Sequence, residues 1–152
     1  MAFTLLTSSN DGASALAAVA ARARGPEDPE EDAALGEFVS SMNERARSLG
    51  LTQTYFLNET GLDTSEVVSG GYGSARDAAH LLAAVLREIP DALEVTREGS
   101  LTVRSLSGVV HQNKNTNEAV RRLPGFIGGK TGYTDLAGGN LAIAFDAGIG
   151  HP

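Results

Sequence analysis

The stretch Gly128-Gly129-Lys130-Thr131-Gly132-Tyr133-Thr134 constrains this chain more than any other. Phe126 to Tyr133 reads as a strand, Asn140 to Asp146 as a second, and the turn between them, Asp135 to Gly139, carries glycine. Glycines at 128, 129 and 132 let another backbone come close to that strand, because no Cβ stands in the way. A phosphate loop is excluded. It needs G-x-x-x-x-G-K-[ST] between a buried strand and a helix, and the position of its first glycine is Pro124. Gly125 lies one residue too close, Glu118 to Leu123 is no apolar strand, and Tyr133 to Gly139 is no helix.

Upstream, the chain reads as helical. Ser8 to Ala23 is a loop feeding a helix, which Asn10 or Asp11 caps through a short side-chain oxygen. Ala13 to Ala21 has almost no polar face, which predicts burial on all sides. The run from Gly25 to Asp32 is a turn leading into an acidic first helical turn, where carboxylates complement the helix dipole. Leu35, Phe38, Val39, Met42, Ala46 and Leu49 keep helical spacing until Gly50. Thr52 to Gly73 is irregular. Ser74 and Asp77 make a capping box for a helix with Ala78, Leu81, Leu82, Val85, Leu86 and Ile89 on one face, stopped at Pro90. Ser100 to Arg104 and Val109 to Gln112 form a hairpin around Ser105 to Gly108. Helices fill the middle and strands the end, so the fold class is α/β in the coarse sense, α+β.

A length of 152 residues fits one domain with a buried core. A net charge of −7 argues against nucleic acid, whose binders carry a basic face. The absence of cysteine removes disulfides, thiolate metal sites and thiol catalysis together. His80, His111 and His151 form no metal-ligand pattern, so neither a metal nor another cofactor is expected. Met1-Ala2-Phe3 opens no signal peptide, and no run approaches the length of a membrane span.

Lys130-Thr131-Gly132 also matches the Lys-Thr-Gly box of the serine penicillin-recognising enzymes, and Ser8-Ser9-Asn10 matches their S-x-N motif. The wider pattern comes in the right order: Phe56 to Leu62, Ser74 to Asp77, Asn115-Thr116-Asn117, Leu123-Pro124-Gly125 and Ala137 to Leu141. From about Leu5 to Gly150 the chain resembles the D-alanyl-D-alanine carboxypeptidases, the low-molecular-mass penicillin-binding proteins. The resemblance implies a β-lactamase/transpeptidase-like fold, with a helical cluster packed on an antiparallel sheet. It also implies acyl transfer at a serine, acting on D-Ala-D-Ala peptides of peptidoglycan and trapped by β-lactam antibiotics.

The resemblance implies site roles as well. Lys130 and Thr131 suit the substrate carboxylate, Gly132 close approach, and the N–H of Tyr133 half of an oxyanion hole. Ser8 resembles the proton-relay serine beside the departing amine, and Asn10 the residue that orients the substrate amide. Ser8, Asn10 and Lys130 are expected to converge on one cleft. No S-x-x-K occurs among these residues. Residues 1–152 are therefore expected to be part of the domain, without the first strands, the nucleophile helix and the last strand, and inactive alone. An extracytoplasmic location is implied, with any export signal or membrane anchor in segments outside this chain. Two rivals stand beside this reading. One is a β-lactamase or esterase on the same scaffold, for which no motif supports Glu59 or Glu66 as the deacylating base. The other is a binding module that keeps the carboxylate clamp and has lost the nucleophile.

Overall fold

The computed structural model describes residues 1–23 and 31–148. Its helices are α1 (Ala2–Thr7), α2 (Asn10–Arg22), α3 (Glu31–Ser48) and α4 (Ala75–Glu88), with 3-10 turns over Pro90–Arg97 and Val120–Arg122. Its strands pair two by two: β1 (Tyr55–Phe56) with β2 (Gly71–Tyr72), β3 (Ser100–Arg104) with β4 (Val110–Lys114), and β5 (Phe126–Thr134) with β6 (Gly138–Phe145). The first two pairs are antiparallel, with Tyr55 opposite Tyr72 and Thr102 opposite Gln112. This is an α+β composition. The acidic run from Gly25 to Asp32 lies mostly outside the described residues, as does the end of the chain beyond Gly148.

The chain divides into two compact units. The first comprises Met1–Ser9, Leu82–Gly132 and the described residues from Asn140 onward. Here α1 packs on the 3-10 turn Pro90–Arg97 and on the β3–β4 hairpin. Leu6 is the large side chain fully buried there. Phe3 meets His111 of β4 edge to face at 6.1 Å. Neither α1 nor that 3-10 turn was evident from periodicity, since each is too short to show one.

The second unit comprises the described residues of Asn10–Leu81 with the tip Tyr133–Gly139. Here α2 packs on α3, and α3 on β1. Gly50 sits at φ 73° just past α3, the left-handed conformation that ends helices without a Cβ penalty. The expected all-round burial of α2 is not found. Ala17 and Ala21 are buried, but Val19 is 64% exposed, since α3 packs along one side of α2 and leaves Val19 uncovered. The capping box at α4 forms only by half. Ser74 Oγ accepts from the N–H of Asp77 at 3.1 Å, while the Asp77 carboxylate turns away, to Gln53 N at 2.8 Å and Thr54 Oγ1 at 2.9 Å.

Candidate active site

Lys130 stands on β5 in the first unit, and the strand is fixed from below. The N–H of Gly129 donates to Thr96 Oγ1 at 3.1 Å, and the same hydroxyl donates to Leu93 O at 2.6 Å. A Cβ at Gly128 would stand 2.8 Å from Leu93 Cβ, and one at Gly129 would stand 2.7 Å from Ala142 O. This corrects the sequence reading of those two glycines. The room they leave is filled by the chain's own packing, and only Gly132 faces open space.

The lysine then reaches Ser8. Lys130 Nζ donates to Ser8 Oγ at 2.5 Å across 122 residues of sequence, and to Thr131 O at 2.5 Å. No carboxylate lies within ion-pair distance of it among the described residues. Burial therefore pulls the Lys130 ammonium below its ordinary pKa, since water that solvated the charge is excluded and no anion replaces it. An ammonium with two protons engaged keeps a third for an incoming acceptor.

Ser8 is held in an uncommon conformation. It follows the last residue of α1 at φ 57°, ψ 45°, the only non-glycine with positive φ among the described residues. Its own N–H is spent on Thr4 O, and that of Ser9 also turns back to Thr4 O. The hydroxyl therefore serves Lys130 rather than capping α2, and the N–H is closed to any oxyanion.

The Asn115-Thr116-Asn117 loop joins these two arms. Buried Asn115 donates through Nδ2 to Thr96 O and Glu98 O, both at 2.9 Å, and accepts from the N–H of Asn117 at 2.8 Å. Thr116 N–H donates to Leu6 O at 3.2 Å, and its hydroxyl lies 2.5 Å from Thr131 Oγ1. The sequence marked this triplet as a landmark, and its role as a brace between α1 and β5 appears only in three dimensions.

The first unit thus brings Ser8, Lys130 and Thr131 together, with Gly132 next along the strand. Asn10 is the first residue of α2 and Tyr133 is 72% exposed, both in the second unit. Glu59 accepts from Ser14 Oγ at 2.5 Å, and Glu66 is exposed. His80 is exposed on α4.

The family model described as D-alanyl-D-alanine carboxypeptidase matches residues 1–146. The chain is 37% identical over 105 residues to D-alanyl-D-alanine carboxypeptidase DacB2 of Mycobacterium tuberculosis, covering 65% of this chain and 33% of that protein. It is 36% identical over 107 residues to DacA of Escherichia coli K12, covering 70% and 25%. Among solved structures, a D-alanyl-D-alanine carboxypeptidase of M. tuberculosis H37Rv superposes with a TM-score of 0.75 at 32% identity, over 95% of this chain and 49% of that one. Penicillin-binding protein D2 of Listeria monocytogenes in its cefotaxime-bound form gives 0.73 at 27%, over 97% and 52%. The chain spans a quarter to a third of the length of these curated relatives and about half of the solved chains.

Proposed function

The chain belongs to the D-alanyl-D-alanine carboxypeptidase family, and on that premise we propose that the whole protein removes the terminal D-alanine of peptidoglycan stem peptides through an acyl-enzyme. The observation that carries this is the Lys130–Ser8 hydrogen bond beside Thr131. A cation and a hydroxyl next to each other on a strand suit a terminal carboxylate, and a second hydroxyl on the same cation suits proton transfer.

The proposed roles follow from these contacts and from the resemblance. Lys130 and Thr131 hold the substrate carboxylate. Ser8 relays to the departing amine the proton that the nucleophile hydroxyl loses, while the Lys130 ammonium that donates to its Oγ stays charged and polarises it. The peptide lies along β5 as an added strand, and the open space at Gly132 favours that approach. Asn10 is assigned to the substrate amide and the N–H of Tyr133 to the oxyanion. The nucleophile is assigned to no residue of these 152, which contain no S-x-x-K. Penicillin-binding protein D2 of L. monocytogenes is known in ampicillin- and cefotaxime-bound forms. The same carboxylate clamp is proposed to take β-lactams here. A peptidoglycan substrate sets the place of action outside the cytoplasm.

Steady-state kinetics of the whole protein on a D-Ala-D-Ala peptide test this reading. Lys130→Ala is expected to lower kcat/KM by about 2–4 kcal/mol of transition-state stabilisation, the usual worth of a preorganised charge in a sheltered site. Wild-type turnover in the variant would remove the assignment. Tight binding of the peptide by the wild-type whole protein, with no release of D-alanine, would instead support a binding module.

A further inference from the structure

We infer that Thr116 is a positioning residue for the carboxylate clamp: it donates its hydroxyl proton to Thr131, and so leaves Thr131 free to donate to a bound anion. The inference rests on the proposed carboxylate-binding role of Lys130 and Thr131. Thr116 is exposed, yet it makes three contacts that a surface threonine has no need of. Its N–H donates to Leu6 O at 3.2 Å, its Oγ1 lies 3.4 Å from the same carbonyl, and it lies 2.5 Å from Thr131 Oγ1.

A hydroxyl has one proton, so two acceptors compete for it. Leu6 O is near the end of α1, where a helix carbonyl lacks an intrahelical donor, but the N–H of Thr116 already serves it. At 3.4 Å the second bond to that carbonyl is at the weak limit, whereas 2.5 Å to Thr131 Oγ1 is short. The proton therefore goes to Thr131. The hydroxyl of Thr131 has no other partner among the described residues, and its own proton is left for whatever enters. If the polarity were reversed, Thr131 would present only lone pairs to a carboxylate and repel it.

The consequence is a dependence on charge that packing alone does not produce. The probe is the reduced-amide analogue of acetyl-D-alanyl-D-alanine, which has no scissile carbonyl, compared with the same analogue ending in a carboxamide. Binding of both to the whole protein is measured by calorimetry. The wild type is expected to prefer the carboxylate. Thr116→Val, which keeps the shape and the backbone N–H, should lose on the order of tenfold of that preference, in line with one hydrogen bond to a charged group. Thr116→Ser should retain it, and Thr116→Ala should match the valine variant. The double variant Thr116→Val/Thr131→Val should lose no more than Thr131→Val alone, because one acts through the other. If Lys130→Ala leaves the preference unchanged, the clamp itself is wrong and this inference falls with it. If Lys130→Ala abolishes the preference while Thr116→Val keeps it, or if the losses of the two threonine variants multiply, the inference alone is overturned.

Discussion

Ser8 shows how one residue can carry conformational cost and chemistry together. A left-handed backbone at a residue with a Cβ costs about 1 kcal/mol or more, and glycine is the residue that avoids it. The chain keeps serine at φ 57°, and that serine's hydroxyl meets Lys130. Ser8→Gly and Ser8→Ala both remove the hydroxyl, so they differ only in how they tolerate the backbone. The glycine variant is expected to be more stable than the alanine variant by about 1 kcal/mol in denaturant melts. Equal midpoints would mean that the left-handed turn relaxes freely and stores nothing. The S-x-N match pointed to Ser8 and the Lys-Thr-Gly match to Lys130. That Ser8 and Lys130 meet was expected only from the family resemblance, because neither motif by itself carries a contact across 122 residues of sequence. The Asn115-Thr116-Asn117 landmark carried no signal of what Thr116 does, since a threonine between two asparagines has the same local chemistry whether or not a second hydroxyl stands opposite.

Elements with a sustained period were legible, and those held by long-range bonds were not. The apolar spacing of Leu35 to Leu49 gave α3, and the turn at Ser105 to Gly108 gave the β3–β4 hairpin, because there the local pattern and the final packing agree. β1 is two residues long, and its neighbour is a side chain as much as a strand. Asn43, buried on α3, donates through Nδ2 to Phe56 O at 2.8 Å and accepts through Oδ1 from Phe56 N at 2.8 Å. Its amide thereby stands in for a strand partner, a role with no sequence period. Asn43→Leu keeps the branched four-atom side-chain skeleton and removes both bonds, leaving the Phe56 backbone short of partners. A loss of about 2–3 kcal/mol is expected, the cost of part-buried polar groups left unpaired. A change under about 0.5 kcal/mol by chemical denaturation, within the range of an ordinary surface substitution, would show that water replaces the asparagine without penalty.

Over the whole molecule, the balance between buried and exposed apolar surface limits how the chain behaves by itself. In the first unit Leu6 is buried completely, while Val109, Val110, Ile127, Leu141 and Phe145 stay exposed around two separate two-stranded sheets. In the second unit Val19, Leu57, Val67 and Tyr72 are exposed, on α2 and around the β1–β2 pair. Two-stranded sheets are marginal without further cover, and their outer edges offer unpaired N–H and C=O groups. Each 100 Å² of apolar surface left in water forfeits roughly 2.5 kcal/mol, so a few hundred Å² rivals the usual folding margin of about 5–15 kcal/mol. Against this stands a net charge of −7, which keeps copies apart at low ionic strength. Salt screens that repulsion within about 10 Å at 0.1 M and leaves the apolar attraction intact. The 152-residue chain is therefore expected to melt broadly and to self-associate, more so as salt rises. Light scattering across a salt series together with scanning calorimetry reads both effects. If the chain instead stays monomeric at every salt concentration and melts sharply above about 60 °C, beyond the middle of the mesophile range, then the exposed side chains cost far less than their area implies.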